Sequence, residues 1–285
     1  MMRGAWIIDQ GGEDITSMFR VTRLLHEERT PFQHLEIYDS PRFGRMLLLD
    51  GAVQTTEGDE FAYHEMLAHP ALCTHPAPRR VLIIGGGDGG VLEEALKHPL
   101  ERVTLVEIDG AVVQASRTYL STICGRAFED ARTELVIGDG IAFVERDGER
   151  FDVVLVDSPD PAGPAAGLFN AAFYARAARR LTPDGLLVVQ SGSAVYQQEL
   201  IRTVRQHLAP SFPLVRTYTV SVMTYPGVLW SFTVGSPRRD PVGVEPEEIA
   251  RRIAGMKLQY YTPAGHHAAF DLPPFLRVQL EAEPA

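Results

Sequence analysis

Two acidic residues in the first half of this sequence stand at the ends of apolar segments. Asp88 lies in the glycine-rich run 85–90, directly after the apolar segment 81–84, and Glu107 ends the next apolar segment, 20 residues after Gly87. Glycines at a strand-to-helix turn allow a ligand to approach the backbone, and an acid about 20 residues further on can accept hydrogen bonds from both hydroxyls of a ribose. The pair predicts an adenosine site. The alternative is a tight turn and a solvent-facing acid without a ligand.

Two further segment ends also carry acids. Gly138-Asp139-Gly140 follows the third apolar segment, at the edge where an adenine amino group would lie, although an aspartate between glycines is also a common turn or helix cap. Asp157 and Asp160 follow the fourth segment. Because the carboxyl ends of parallel strands meet at one edge of a sheet, we expect these two aspartates to converge with Asp88 and Glu107 on one crevice.

The four converging acids need a compensating cation, because crowded like charges are otherwise unfavourable. No histidine or further carboxylate stands beside them at metal-ligand spacing, so we expect an organic polycation and no metal. An adenosine ligand whose tail carries a carboxylate would face Asp88 and Asp157 with like charge, whereas one whose tail carries only cationic groups would be attracted. The acids are therefore expected to repel the first ligand and to select the second.

After residue 80 the sequence alternates apolar runs with helical segments. The expected strands are 81–86, 103–109, 134–140, 151–158 and 186–191, and the expected helices are 90–98, 110–120, 170–181 and 195–208. The strands are continuous apolar runs, which is typical of a parallel sheet covered by helices on both faces. The last two extended segments, 214–222 and 228–235, are joined by too few residues for a helical crossover, so they must pair antiparallel. The predicted fold class is α/β, a Rossmann-like doubly wound sheet of the class I methyltransferase type with a terminal antiparallel hairpin.

The first 57 residues have a different pattern. Short extended runs at 5–8, 19–25, 35–38 and 46–49, separated by turn residues, predict a small N-terminal antiparallel β domain. Apolar residues then follow helical spacing from 60 to 72, and Pro76 and Pro78 end that helix. We expect an N-terminal β domain over residues 1–57 and a Rossmann-like catalytic domain over residues 58–285.

Composition excludes several classes of protein. Of the 285 residues, 45% are hydrophobic and 22% are charged, which is ordinary for a globular protein and excludes disorder. The net charge of -10 argues against a general nucleic-acid or anionic-membrane surface, so neither partner is expected. No apolar run approaches the roughly 18–20 residues of a membrane span, and the N-terminus has no signal-peptide pattern. Cys73 and Cys124 form no disulfide or zinc pattern, so a cytoplasmic location is expected.

Five segments together resemble one enzyme family. They are LLLDGAVQTTEGDEFAYHEM at 47–66, VLIIGGGDGGVLEEALKHP at 81–99, VEIDGAVV at 106–113, DSPDPAGPAAGLF at 157–169 and YYTPAGHHAAFDLP at 260–273. In order and spacing they are similar to the spermidine synthases, the polyamine aminopropyltransferases, over about residues 15–277. The resemblance implies transfer of the aminopropyl group of decarboxylated S-adenosylmethionine to putrescine, giving spermidine and 5′-methylthioadenosine by a single in-line displacement. It also implies that no prosthetic group or metal is used and that the chain forms a homodimer or homotetramer.

The resemblance assigns roles to particular residues. Asp157 matches the proton acceptor, Asp88 the acid that holds the aminopropyl ammonium, and Glu107 the acid on the ribose. The implied contacts to the donor are made by Gln33, Gly85, Asp88, Glu107, Asp139, Gly140 and Pro164. The implied contacts to the diamine are made by Tyr63, His64, Asp88, Asp157, Asp160 and Tyr225. Apart from the resemblance, the two tyrosines and His64 are equally consistent with ordinary packing, and we interpret His266 and His267 as structural.

Three departures from the family pattern fall near the expected diamine site. Pro159 stands where the family has Ser or Thr, Ala166 where a Glu is common, and residues 223–228 read Met-Thr-Tyr-Pro-Gly-Val in place of Pro-Thr-Tyr-Pro-Ser-Gly. Proline fixes φ and removes an amide donor within the loop. The alternatives are therefore another amine acceptor (cadaverine, agmatine or a triamine) or a non-catalytic polyamine- or nucleoside-binding protein. A methyltransferase that uses intact S-adenosylmethionine would share the same fold.

Overall fold

A seven-stranded sheet forms the centre of the computed structural model, which describes residues 5–10 and 15–281. In spatial order its strands are β12 (Leu214–Ser221), β13 (Leu229–Ser236), β11 (Leu181–Ser193), β10 (Phe151–Asp157), β7 (Arg80–Gly85), β8 (Arg102–Glu107) and β9 (Thr133–Ile137). The strands from β11 to β9 are parallel, whereas β13 runs antiparallel to both β11 and β12. The predicted parallel sheet with a terminal antiparallel hairpin is confirmed.

Alternate residues of the parallel strands enter two separate cores, one on each face of the sheet. On β7, Val81 and Ile83 pack into one core, while Leu82 and Ile84 pack into the other. Helices α1 (Glu60–Thr74) and α2 (Gly90–Leu96) contribute to the first core, and α6 (Ala171–Arg179) and α7 (Gln198–Leu208) contribute to the second. Burial on both faces explains why these strands are continuous apolar runs.

Within residues 5–10 and 15–59, six strands precede α1 and form two antiparallel sheets. β1 (Ala5–Gln10) pairs with β2 (Thr16–Val21), and a four-stranded sheet contains β3 (Arg23–Arg29), β4 (His34–Ser40), β5 (Gly44–Leu49) and β6 (Ala52–Thr56). The predicted antiparallel character is confirmed, but the single extended run expected over 19–25 is wrong. The chain breaks at Thr22, whose amide donates to the carbonyl oxygen of Asp39 over 2.8 Å. As a result, β2 and β3 belong to different sheets.

The C-terminal segment folds back onto α1 through one buried acid. Glu65 accepts hydrogen bonds from the amides of Gln259, Tyr260 and Tyr261 at 2.6, 2.9 and 2.7 Å.

The remaining helices are α3 (Gly110–Tyr119), α4 (Ser121–Cys124), α5 (Gly140–Glu145), α8 (Pro246–Arg252), α9 (Pro263–Phe270) and α10 (Pro274–Glu281), with short 3-10 helices at Ala127–Glu129, Gly163–Phe169 and Pro241–Gly243. Within residues 5–10 and 15–281, none of the helices combines the length and the apolar character that a bilayer crossing requires.

A proline inside α1 leaves one carbonyl without its helical partner. Pro70 has no amide, so the carbonyl oxygen of Met66, four residues earlier, loses its usual donor. The buried hydroxyl of Tyr218, on β12, donates to that oxygen over 2.8 Å. The hairpin strand therefore supplies the hydrogen bond that the proline removes from the helix.

Replacing Tyr218 by phenylalanine should destabilise the protein by about 1–3 kcal/mol, because the buried carbonyl of Met66 loses its donor. Tyr174→Phe is the matched control. Tyr174, on α6, is equally buried, and its hydroxyl has no hydrogen-bond partner among the described residues. Its removal loses no hydrogen bond, so the free energy of unfolding should stay the same or rise. Urea denaturation measures both values, and equal losses in the two variants would contradict the role given to Tyr218.

Candidate active site

A cavity of about 370 Å³ opens at the carboxyl edge of the central sheet. Its wall comes from the ends of β7, β8 and β10, the loop after β10, the N-terminal sheets and the turn between β12 and β13. The four acids expected at one crevice all line it. All of the site residues predicted from the sequence do so, namely Gln33, Tyr63, His64, Gly85, Asp88, Glu107, Asp139, Gly140, Asp157, Asp160, Pro164 and Tyr225.

The glycine-rich turn after β7 brings the backbone close to these acids. Gly85 and Gly86 have φ values of 82° and 69°, in the region that favours glycine. A Cβ on Gly85 would lie 1.9 Å from the carbonyl oxygen of Asp157, and one on Gly87 would lie 3.0 Å from Oε2 of Glu107. The absence of side chains here allows three neighbouring strands to end around one opening.

Glu107 is buried at the end of β8, with 7% of its surface exposed. Its Oε1 accepts a hydrogen bond from the amide of Asp109 over 2.8 Å. Burial raises the pKa of Glu107 to about 7, and the negative charges of Asp109, Asp157 and Asp88 act in the same direction. The carboxylate is therefore partly protonated near neutral pH, and hydrogen-bond donors from a ligand would favour its charged form.

Asp139 and Gln33 make structural contacts in addition to lining the cavity. Oδ1 of Asp139 accepts a hydrogen bond from the amide of Ile141 over 2.8 Å and thereby caps α5. The same side chain lines the cavity, so Asp139 is both a helix cap and part of the cavity wall. Nε2 of Gln33 donates to Oδ2 of Asp109 over 2.9 Å. Asp109 in turn caps α3, so this contact ties the N-terminal sheet to the rim of the cavity.

His64, Asp88 and Asp157 form a polar cluster in the cavity wall, with Tyr63 and Glu60 beside it. Nδ1 of His64 lies 2.6 Å from Oε2 of Glu60, and Nε2 lies 3.3 Å from Oδ2 of Asp88. The hydroxyl of Tyr63 donates to Oδ1 of Asp157 over 2.8 Å. No histidine stands at metal-ligand spacing beside the acids in the sequence, but the fold brings His64 to them from α1.

The contacts within this cluster determine its charges. Burial lowers the pKa of His64, but the carboxylates of Asp88 and Glu60 outweigh burial and hold that pKa well above its usual value. Burial raises the pKa of Asp88, yet His64 brings it below its ordinary value. Burial and the charge of Asp88 raise the pKa of Asp157 to about 6, against the opposing effects of His64 and Tyr63. At neutral pH the free site contains an imidazolium beside two carboxylates.

The cluster suits an organic cation better than a metal ion. The closest nitrogen and oxygen atoms of His64, Asp88 and Asp157 lie within 4.8 Å of one another. In the free site, however, His64 is held as an imidazolium between Glu60 and Asp88, so a metal ion could bind its ring only after displacing a proton. The oxygens of Asp88 and Asp157 are good acceptors for an ammonium group.

Two glutamines hold Asp160 in the cavity wall. Nε2 of Gln197 donates to Oδ2 of Asp160 over 2.6 Å, and Nε2 of Gln190 donates to Oδ1 over 3.4 Å. Their own carbonyl oxygens accept hydrogen bonds from the amides of Ser193 and Gly192, which fixes both side chains. Sequence reasoning missed both glutamines, because no motif links them to the loop after β10.

Aromatic rings form an apolar wall beside the acids. Tyr225 packs against Tyr63 and Trp230, with ring centroids 5.5 and 4.7 Å apart. Its hydroxyl donates to a backbone carbonyl of β6. Asp59, directly before α1, accepts hydrogen bonds from both the amide and the hydroxyl of Thr224, each over 2.8 Å. This buried acid holds the turn that carries Tyr225 against the cavity.

Asp9, on β1, also lines the cavity, and sequence reasoning missed it. The side chain accepts a hydrogen bond from the amide of Val53 over 3.3 Å. Burial raises the pKa of Asp9, the hydrogen bond opposes this, and the charge of Asp160 adds to the increase. The signal in the sequence is a single acid directly after the apolar residues 5–8 of β1.

The departures in the loop after β10 differ in their relation to the cavity. Pro159 and Pro164 line it, whereas Ala166 is exposed in the 3-10 helix Gly163–Phe169 and does not. Ala166 therefore contributes nothing to the cavity wall, while Pro159 lines the cavity and precedes Asp160 directly. His266 lies away from the cavity, with both ring nitrogens hydrogen-bonded within the protein.

Removing the charge of Glu107 should stabilise the free protein at high pH. Its pKa is about 7 in the folded protein against an ordinary value of 4.5, so ionisation between these values costs folding free energy. Above about pH 7, Glu107→Gln should raise the free energy of unfolding by about 1–3 kcal/mol, and below about pH 4 the gain should vanish because the acid is neutral in both states. Chemical denaturation across this pH range measures the effect.

The control for this prediction is Glu134→Gln, which removes the same charge from an exposed position on β9. We expect no pH-dependent gain from it. A gain in Glu107→Gln that does not depend on pH, or one that the control reproduces, would show that burial of the Glu107 charge is not the cause.

Comparisons with known proteins identify the family of this chain. The family model described as Spermine/spermidine synthase domain matches residues 60–242, and the one described as Spermidine synthase tetramerisation domain matches residues 5–57. A polyamine aminopropyltransferase of Moorella thermoacetica is 48% identical over 283 residues, which are 99% of this chain and 98% of that protein. One of Desulforudis audaxviator is 48% identical over 273 residues, 95% of this chain and 97% of that protein.

Solved structures show the same relationship. A spermidine synthase in complex with the transition-state analogue AdoDATO has a TM-score of 0.94 at 35% identity, covering 98% of this chain and 97% of that chain. Spermidine synthase from Thermotoga maritima has a TM-score of 0.92 at 35% identity, covering 98% of this chain and 96% of that chain. The resemblance found in the sequence and the expectation of a transferase are confirmed. The chain belongs to the spermidine synthase family of polyamine aminopropyltransferases.

Proposed function

We propose that this chain transfers the aminopropyl group of decarboxylated S-adenosylmethionine to putrescine, giving spermidine and 5′-methylthioadenosine. The observation that carries the proposal is one cavity lined by Asp88, Glu107, Asp157 and Asp160 together with an aromatic wall. Acids favour cations beside them, and an apolar wall favours methylene groups. Such a cavity suits a nucleoside sulfonium and a diamine better than a ligand that carries a carboxylate.

The donor is proposed to lie along the ends of β7, β8 and β9. Glu107 would accept hydrogen bonds from the ribose hydroxyls, and Asp88 would hold the aminopropyl ammonium. A structural relative with the same fold was solved with the transition-state analogue AdoDATO, which supports a donor site in this fold. The remaining donor contacts are proposed for Gln33, Gly85, Asp139, Gly140 and Pro164, all of which line the cavity.

Asp157 is proposed as the base. An alkyl amine has a pKa near that of lysine, about 10.4, so it must lose a proton before it can attack. Its nitrogen then bonds to the propyl carbon, the carbon–sulfur bond breaks with its electron pair going to sulfur, and the proton is left on Asp157. The pKa of Asp157, about 6, suits a base that works near neutral pH. The sulfur leaves as a neutral thioether, so the step requires no acid, metal or prosthetic group.

Asp160 is proposed to bind the distal ammonium of putrescine. The two glutamines that hold its oxygens fix the distance between this carboxylate and the base, and that distance sets the length of the preferred acceptor. Tyr63, His64 and Tyr225 are proposed to line the diamine site. Cadaverine, agmatine and triamines would place their second cation at a different distance from Asp157.

The N-terminal sheets are proposed to join copies of the chain into a homodimer or homotetramer. Trp6, Ile8 and Met18, on the paired strands β1 and β2, are 58%, 57% and 56% exposed, and Ile8 stands opposite Met18. Exposed apolar side chains grouped in this way are typical of a subunit interface.

We also propose a division into an N-terminal β domain, 1–57, and a Rossmann-like catalytic domain, 58–285. The two family models, which match on either side of this boundary, support it.

Two substitutions, one at the end of β10 and one in the loop after it, test the proposed reaction. Given decarboxylated S-adenosylmethionine and putrescine, the unmodified protein should form spermidine and methylthioadenosine, identified by mass spectrometry. Asp157→Asn should lower kcat/KM by about 10²–10⁴-fold, because the base is lost, and should leave the binding of methylthioadenosine unchanged. Asp160→Asn is the matched control, since it makes the same change of carboxylate to amide. It should raise KM for putrescine far more than it lowers kcat.

The opposing results separate the alternatives. Undiminished turnover of Asp157→Asn would rule out this residue as the base. Product from cadaverine, agmatine or a triamine but not from putrescine would contradict the proposed acceptor. No product with any amine would contradict catalysis, and methylated product from intact S-adenosylmethionine would indicate a methyltransferase.

A further inference from the structure

The imidazole ring of His64 has little room to move. A Cβ added to Gly90 would lie 2.2 Å from Cε1 and Nδ1 of the ring, so the ring lies directly against the backbone of this glycine. Tyr63 packs edge-on against it with centroids 5.4 Å apart, and Glu60 holds Nδ1 at 2.6 Å. The side chain is 2% exposed. His64 therefore presents Nε2 to Asp88 in one fixed direction.

Carboxylates from each neighbouring element favour the imidazolium form of His64 in the free protein. Glu60 on α1 and Asp88 in the loop before α2 face the two ring nitrogens. Glu94 on α2 and Asp157 at the end of β10 add negative charge nearby, and Tyr63 stays neutral. Burial opposes the charge, yet the pKa of His64 remains well above its usual value. A proton on Nε2 thus lies between the ring and Asp88 at neutral pH.

The proposed donor brings a second cation to the same carboxylate. Oδ1 of Asp88 already accepts a hydrogen bond from the amide of Gly90 over 2.9 Å, and Oδ2 faces Nε2 of His64 at 3.3 Å. Two cations buried beside one carboxylate repel each other strongly. Since the ring is held in place, loss of the Nε2 proton relieves this conflict, and the neutral nitrogen becomes an acceptor for the ammonium.

We infer, on the basis of the proposed function, that binding of the donor's ammonium beside Asp88 releases the Nε2 proton of His64 to solvent. The proton passes to a buffer base, the Nδ1 proton stays with its contact to Glu60, and Nε2 accepts an N–H of the ammonium. One positive charge enters the site and one leaves it. His64 is thus an internal counter-cation that neutralises Asp88 until the donor arrives, and Glu60 is the positioning residue that determines which proton is lost.

Isothermal titration calorimetry in buffers of different ionisation enthalpy counts the protons released on binding. The two ligands are 5′-methylthioadenosine and 5′-(3-aminopropylthio)-5′-deoxyadenosine, which adds the ammonium but, as a thioether, cannot transfer its chain. At about pH 7.5 the unmodified protein should release about one proton more with the second ligand than with the first. Proton changes at Glu107 that accompany ribose binding are common to both ligands and cancel in this difference.

His64→Gln should abolish the excess, because the amide has no proton to lose at this pH. The unmodified protein provides an independent measurement. Its affinity for the aminopropyl ligand relative to methylthioadenosine should rise about tenfold per pH unit between about pH 6.5 and the pKa of His64.

Equal proton release with the two ligands, an excess that persists in His64→Gln, or a relative affinity that does not change with pH would each overturn the inference while leaving the proposed function intact. Failure of the unmodified protein to bind either ligand would overturn the proposed function, and the inference with it.

Discussion

Negative charge at the carboxyl edge of the central sheet is concentrated where little water can screen it. Burial and mutual repulsion raise the pKa values of Glu107 and Asp157, and Asp88 contributes to both increases. Among the described residues, the cavity wall contains no lysine or arginine, and His64 is the basic side chain that faces the acids. The free site therefore has less positive than negative charge, and ligands with an ammonium or a sulfonium make up the deficit. This deficit of positive charge is the common physical cause of the proposed choice of donor, the proposed choice of acceptor and the basicity of Asp157.

The scaffold keeps these acids in place through hydrogen bonds between segments that are far apart in the chain. Asp59 holds the turn that carries Tyr225, Gln197 holds Asp160, and Gln33 joins the N-terminal sheet to the start of α3. Each contact fixes one wall of the cavity relative to another. Placing the reacting groups before the substrates arrive reduces the entropy that an in-line displacement must otherwise lose.

Local patterns in the sequence explain why the fold and the four acids could be predicted. Strands buried on both faces must be continuous apolar runs, and acids at their ends must meet at one edge. The partners of these acids could not be found in this way, because contacts such as that of His64 with Asp88 depend on how a helix packs against a distant loop. Asp9 and Gln190 were missed for the same reason. The break at Thr22 was missed because the residues around it have no turn pattern, and a tertiary hydrogen bond to Asp39 fixes it.

The relative affinity for decarboxylated and intact S-adenosylmethionine tests most directly whether the buried acids select the ligand by charge. Calorimetry should show a preference of the unmodified protein for the decarboxylated form of about 10²-fold or more, since a like-charge contact costs several kcal/mol. Asp88→Asn should reduce this preference by at least about tenfold. Asp139→Asn, the same change at an exposed cavity acid proposed to contact the adenine, should leave it unchanged. Equal affinity of the unmodified protein for the two forms, or an undiminished preference in Asp88→Asn, would contradict selection of the donor by charge.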